Sequence, residues 1–206
     1  MDRSSDPASQ PRKLIYFPIV HNHADLGALS ESVKRASFKK IGRAGWKRKL
    51  DMIDQFWSEV EKVVDELPIM PGRVRIYQDG LPVSGREADI VRDLAAAGSR
   101  NHALIVRLMA RGAFLMGTES PELLLEEYEM AKKGLEPKKS REAERREGTV
   151  RDSLLVRRDR FIALRINETL RPGDAGIVFL GMLHSLEPWI AKDIRVTYPL
   201  HRPVKS

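Results

Sequence analysis

Cysteine is absent from the 206 residues of this chain, which excludes disulfide bonds, thiolate zinc sites and a cysteine nucleophile. Any bound metal must therefore be held by histidine, aspartate or glutamate. Long apolar runs are absent as well, because charged residues interrupt each run well before the ~20 residues that a membrane-spanning helix needs. We therefore expect no association with a membrane.

The chain is basic but lacks a pattern for binding nucleic acid. Its formal net charge is +7, and aromatic residues make up only 6% of the sequence. Basic residues largely alternate with acidic ones, and no stripe of Lys and Arg is interleaved with aromatic residues. Nucleic acid is therefore not an expected partner. A small-molecule or peptide substrate is expected instead, and assembly into a homo-oligomer stays open.

Length and composition predict one domain of a cytoplasmic protein. Hydrophobic residues make up 42% of the chain and charged residues 32%, which suffices for one sizeable core. We expect a disordered tail over 1–12, a single domain over 13–200 and a second tail over 201–206. The nearly all-charged segment 136–151 cannot bury a face, so it is predicted to be a loop or a surface helix.

Short apolar runs separated by helix-sized segments predict an α/β fold. The clearest helix spans Leu50–Leu67, where apolar residues recur every three or four positions. The basic segment Lys34–Lys49 contains two glycines and is predicted to be a connection, and a short helix is predicted over Leu186–Ala191. The crossovers imply a mostly parallel or mixed central sheet with helices on both faces. Its predicted strands are Lys13–Val20, Arg73–Gln78, Gly112–Gly117, Gly176–Leu180 and Ile194–Thr197.

Polar residues follow each of the first four predicted strands. These residues are His21 and His23, then Asp79, then Glu119, and finally His184. Because the carboxyl ends of parallel strands lie at one edge of a sheet, we expect these side chains to converge. Imidazole and carboxylate together suit a divalent ion such as zinc, manganese or cobalt, and they also suit general acid–base catalysis.

Each of these residues also has a purely structural interpretation. Two histidines two residues apart point to opposite sides of a strand unless a turn intervenes, so His21 and His23 need not act together. The Asp79–Gly80 pair is common in turns, and Glu119 also suits the start of the following helix. His102 lies among apolar helical residues and is predicted to be an ordinary core or surface histidine.

Charged residues also interrupt an apolar helical stripe near the carboxyl terminus. Asp159 falls between Leu155 and Ile162 on one face, and Arg160 follows it. A charge on an apolar face must be paired or functional, so both residues are candidates for the site. An internal ion pair is the structural alternative.

Two segments resemble the TraB/PrgY/Tiki group of proteins. The first is Pro18-Ile19-Val20-His21, followed by Leu29-Ser30-Glu31-Ser32-Val33; the second is Arg158-Asp159-Arg160-Phe161-Ile162-Ala163, followed by the run from Gly176 to His184. The likeness covers about half of the chain and resembles that group's two Gly-x-x-His motifs and its Arg-Asp-Arg helix. Pro18 stands where the group has glycine, and Asp79 stands near the position where glutamate is expected.

The resemblance implies membership in a superfamily with the erythromycin-esterase-like and ChaN-like proteins. It implies an α/β fold with a cleft lined by two histidines, acidic residues and an arginine. Activities proposed in that superfamily include metal-dependent proteolysis and ester hydrolysis, and the ChaN-like branch binds haem.

The leading hypothesis is a metal-dependent hydrolase of peptide or ester bonds. His21, His23 and His184 would hold the ion, Glu119 or Asp79 would accept a proton from water, and Arg160 would stabilise negative charge, with Asp159 beside it. Two alternatives stay open. One is a non-catalytic module that binds a small anion or haem, and the other is a scaffold that docks a partner through its charged segments.

Overall fold

A five-stranded parallel sheet with helices on both faces organises this chain. We describe a computed structural model over residues 11–20, 30–134 and 140–200. The spatial order of the strands is β3-β2-β4-β1-β5, and every pairing is parallel. The predicted single α/β domain is thereby confirmed. The elements are β1 (Arg12–Ile19), α1 (Ser30–Asp65), β2 (Val74–Gln78), α2 (Glu87–Ala96), α3 (Arg100–Ala110), β3 (Phe114–Met116), α4 (Pro121–Gly134), α5 (Arg141–Thr169), β4 (Ala175–Gly181) and β5 (Ile194–Thr197).

Strands β1 and β4 lie at the centre of the sheet and are apolar on both faces, as the sequence predicted for β1. Pro18 lies one residue before the end of β1, opposite Leu180 in the ladder. Strand β5 pairs with β1 only as far as Ile15, so among the described residues Pro18 has a strand neighbour on one side only. A residue without a backbone N–H is tolerated at such a position.

Two hydrophobic cores fill the space between the sheet and its helices. The first joins the sheet to α1, α2 and α3, with Trp57 as its largest side chain, and the second joins the sheet to α5. Strand β2 serves both cores by alternation, because Val74 and Ile76 face the first core whereas Tyr77 faces the second. The same alternation continues past the end of β2 and decides where the next polar side chains point.

Helix α1 differs from its prediction in where it begins. The basic segment 34–49, predicted to be a connection, is helical on both sides of a kink at Gly42, where φ is 66° and ψ is 179°. Only Gly42 breaks the helix, since Gly45 keeps helical geometry. Within the predicted stripe Trp57 is fully buried, whereas Leu50 is 40% exposed.

For two further segments the sequence prediction had opposite outcomes. The charged segment 136–151 was predicted to be a loop or a surface helix, and from Arg141 onward it forms the first turns of α5. Opposite charges four residues apart stabilise exposed helices of this kind, as in the ion pair between Glu142 and Arg146. The predicted short helix over Leu186–Ala191 was wrong, because those residues form a turn after β4.

Gly112 is the glycine whose replacement should disturb the fold most clearly. Its φ is +94°, and an added Cβ would lie 2.8 Å from the Cβ and 3.0 Å from the Cα of Pro71. We expect Gly112→Ala to lower the free energy of unfolding by about 2–3 kcal/mol, through backbone strain and this clash. The matched control is Gly148→Ala in α5, where nothing lies within 4 Å and alanine should stabilise by about 0.5–1 kcal/mol. Urea denaturation of both variants checks this, and an equal effect would contradict the strain at Gly112.

Candidate functional site

The carboxyl edge of the sheet brings three of the predicted residues together. Asp79 directly follows β2, Glu119 follows β3 by three residues, and His184 follows β4 by three residues. Because β3, β2 and β4 are neighbours in the sheet, their ends deliver these side chains to one place. One ligand atom of each residue lies within 4.8 Å of the others, and all three side chains are buried.

The remaining predicted residues have different positions. His21 and His23 lie outside the described residues, so the predicted pairing of His21 with His184 stays a prediction. Asp159 is buried in α5 and contacts His184. Arg160 is exposed, and its guanidinium lies 4.3 Å from the centre of the Trp189 ring, in a cation–π contact away from the cluster.

A different arginine, Arg158, carries the positive charge of the site. Its Nε donates to Oε2 of Glu119 at 2.7 Å, and its Nη2 donates to Oε1 of Glu119 at 2.6 Å and to Oδ1 of Asp79 at 2.8 Å. Its Nη1 donates to Glu127 on α4. Burial lowers the pKa of Arg158, but the hydrogen bonds and charges of Glu119 and Asp79 outweigh burial and raise it, so the guanidinium stays charged.

The sequence contained a signal for Arg158 that our prediction did not use. Arg158 follows Leu155 by three residues and precedes Ile162 by four, so it shares the buried stripe that pointed to Asp159. Arg160 lies two residues further along, about 200° around the helix from Arg158, and therefore faces away from the cluster.

His184 is held by carboxylates on both ring nitrogens. Its Nδ1 lies 2.6 Å from Oδ1 of Asp159, whose Oδ2 accepts the backbone N–H of Ser185 at 3.0 Å. Its Nε2 lies 3.4 Å from Oδ2 of Asp79. Burial lowers the pKa of His184, but the charge of Asp79 and the hydrogen bond to Asp159 outweigh burial and raise the pKa to about 10. At neutral pH the ring is therefore an imidazolium.

Backbone amides of two glycines fix the orientation of the carboxylates. The N–H of Gly80 donates to Oε1 of Glu119 at 2.8 Å, and the N–H of Gly181 donates to Oδ2 of Asp79 at 2.7 Å. Gly80 has a φ of +72°, so the Asp79–Gly80 pair is both the turn that the sequence suggested and part of the site. Burial and the neighbouring charge of Asp79 raise the pKa of Glu119 against the opposing bonds from Arg158.

Asp79, Arg158 and His184 line a cleft of about 640 Å³, whereas Glu119 is fully buried and is not among its lining residues. On the α3 side the cleft is lined by Gln78 and His102; the prediction of an ordinary histidine did not foresee that His102 reaches it. Gln78 is 1% exposed, its Nε2 donates to the carbonyl of Asp79 at 3.1 Å, and its Oε1 has no hydrogen-bond partner among the described residues. A buried acceptor without a partner can take a hydrogen bond from a bound molecule.

The cluster could hold a metal ion. One imidazole nitrogen and two carboxylates form a donor set suited to zinc, manganese or cobalt. The 3.4 Å between Nε2 of His184 and Oδ2 of Asp79 matches two ligands at about 2.1 Å from a tetrahedral ion. Asp159 would act as the carboxylate that orients a metal-binding histidine from behind. A cation would have to displace the proton that His184 carries.

Comparison of the chain with protein-family models, curated proteins and solved structures finds no match. The resemblance to the TraB/PrgY/Tiki group therefore stays a prediction. Within residues 11–20, 30–134 and 140–200, no helix is both long and apolar enough to cross a membrane.

Replacing Arg158 should destabilise the fold far more than replacing Arg160. Arg158→Met leaves buried carboxylates without their cation, and breaking buried pairs in this way costs about 3–5 kcal/mol. Arg160→Met removes one exposed cation–π contact, which contributes about 0.5–1 kcal/mol. Urea denaturation at pH 7 measures both. Equal losses would show that Arg158 is not the central cation.

The stability that His184 contributes should depend on pH. Its pKa is about 10 in the folded protein and near the ordinary 6.5 in the unfolded chain. Its contribution is therefore complete below about pH 6.5 and disappears as pH rises through about 10. We expect His184→Gln to cost about 3 kcal/mol at pH 6 and progressively less toward pH 10. The difference between the two unfolding curves at each pH is the measurement, because groups common to both proteins cancel. A difference independent of pH would contradict a charged His184.

Proposed function

We propose that this protein is a hydrolase that activates water at the buried Asp79–Glu119–His184 cluster. The observation that carries the proposal is the pairing of an imidazole, held from behind by Asp159, with the carboxylate of Asp79 in the wall of one cleft, next to the buried carboxylate of Glu119. Groups with strongly perturbed pKa values that converge in a cleft are typical of catalytic sites.

The chain's own residues suit complementary roles. Without a bound cation, the raised pKa of His184 keeps its Nε2 protonated and able to donate to a leaving group; a bound cation would displace that proton, and His184 would then serve as a ligand instead. Glu119 and Asp79 are the carboxylates beside this ring, and one of them would accept the proton from water; burial raises the pKa of Glu119. Arg158 is a positioning residue, because its bonds to Glu119 and Asp79 fix both carboxylates rather than leaving them free to turn.

The charge balance of the cluster favours a cation over an anion. Two cationic groups, Arg158 and His184, are surrounded by four carboxylates, which belong to Asp79, Glu119, Glu127 and Asp159. The bonds of Arg158 to carboxylates leave little of its charge for an anionic ligand. A bound divalent cation would supply Lewis acidity and lower the pKa of water to about 7.

Metal binding tests the first half of this proposal. Zn²⁺, Mn²⁺ and Co²⁺ are titrated into metal-free protein by calorimetry, and Co²⁺ also by its visible absorption. We expect one ion per chain, with affinity reduced at least about 100-fold in His184→Ala and Glu119→Gln, since each removes a ligand. Glu126→Gln is the control, because Glu126 lies outside the cluster and forms an exposed ion pair with Arg157.

Turnover tests the second half. p-Nitrophenyl acetate and a peptide library are offered with and without a chelator, and Glu119→Gln should lose at least about 100-fold in kcat/KM. Thermal unfolding shows whether each variant is folded, and Glu119→Asp should restore part of the rate. Turnover that is unchanged when Glu119 and His184 are replaced would refute the proposal. A Soret band on adding haem would favour the haem-binding alternative instead.

A further inference from the structure

A second cavity lies beside the cleft and differs from it in chemistry. Its volume is about 530 Å³, and Val20 and Met182 line both cavities. Met182 lies two residues before His184 in the same turn after β4. A ligand that reaches from His184 past Met182 therefore enters the second cavity. The other lining residues are Pro18, Gly45, Arg48, Lys49, Met52, Ile53, Phe56 and Leu200.

The second cavity is lined almost entirely by carbon. Among its described lining residues no side chain is polar and uncharged, and the two cationic ones, Arg48 and Lys49, are exposed. Long cationic side chains commonly contribute their methylene stems to such walls while their charges stay in water. Pro18 also lacks a backbone N–H, which further reduces the hydrogen-bonding groups available to a ligand.

We infer that this cavity binds the acyl chain of the substrate, whose ester carbonyl lies at His184. This inference rests on the proposed hydrolase function. An alkyl chain brings no polar atoms and gains from burial against carbon. A peptide segment in the same place would bring backbone N–H and C=O groups that require partners, and the lining side chains offer no oxygen acceptor and only the donors of Arg48 and Lys49. The substrate class is therefore a fatty-acyl ester rather than a peptide.

Calorimetry with octanoate, decanoate and dodecanoate tests binding without turnover. We expect one site per chain, with affinity rising about fourfold per added methylene until the cavity is filled. Met52→Glu places a charge in the cavity wall and should weaken decanoate at least about 10-fold, whereas Met52→Leu should keep the affinity. The matched control is Met70→Glu, because Met70 is 61% exposed, like Met52 at 63%, but lies outside the cavity.

Hydrolysis of p-nitrophenyl acetate and p-nitrophenyl decanoate separates this inference from the proposed function. A higher kcat/KM for the decanoate ester supports both. If decanoate binds and Met52→Glu weakens its binding, but neither ester is hydrolysed, the hydrolase function is refuted and the acyl cavity stands. Hydrolysis without a chain-length preference would refute the acyl cavity alone. Displacement of decanoate by a trileucine amide, or binding that Met52→Glu leaves unchanged, would also overturn it.

Discussion

The ion cluster around Arg158 is the constraint on which the rest of this structure depends. One buried guanidinium on α5 contacts carboxylates that follow β2 and β3 and one that projects from α4, so it joins four elements at one point. Proteins in which apolar side chains replace such a cluster are often as stable as the original or more stable. The reason is that the cost of removing the charges from water offsets most of the attraction between them. What the cluster provides is therefore position: Asp79 and Glu119 stay oriented and close to His184 at the edge of the sheet.

The parts of the site that sequence could predict are those that depend on local order along the chain. A buried strand followed by a polar residue is readable from a short window, and parallel strands place such residues at a common edge. Asp79, Glu119 and His184 were found in this way. The choice between Arg158 and Arg160 depends instead on the rotation of α5 against the sheet, which distant contacts such as that of Arg160 with Trp189 help to set. The position of His102 in the cleft wall was missed for the same reason, because the orientation of α3 decides whether it reaches the cleft.

Where the sequence left the secondary structure open or predicted it wrongly, the local preference for helix over other conformations is weak. Glycine disfavours a helix by only about 1 kcal/mol, so Gly45 remains helical while Gly42, with positive φ, introduces the kink in α1. The charged start of α5 is helical because pairs four residues apart and the packed continuation beyond Leu154 support it. Leu186–Ala191 had the composition of a short helix, yet Leu186 packs into the second core from a turn. Tertiary packing decided the conformation of Leu186–Ala191.

Side chains along β2 point alternately to the two faces of the sheet, which explains why a charged cleft and an apolar cavity meet at one edge. Val74, Ile76 and Gln78 point toward α1 and α3, whereas Tyr77 and Asp79 point toward α5. The charged side chains therefore gather on the α5 face, where Arg158 and Asp159 neutralise or orient them, whereas the opposite face is apolar at Val74 and Ile76 and carries the uncharged polar group of Gln78. The charged groups of the cluster are stable on the α5 face because their partners project from α5. A substrate with one polar and one apolar part, as proposed above, would lie across that boundary.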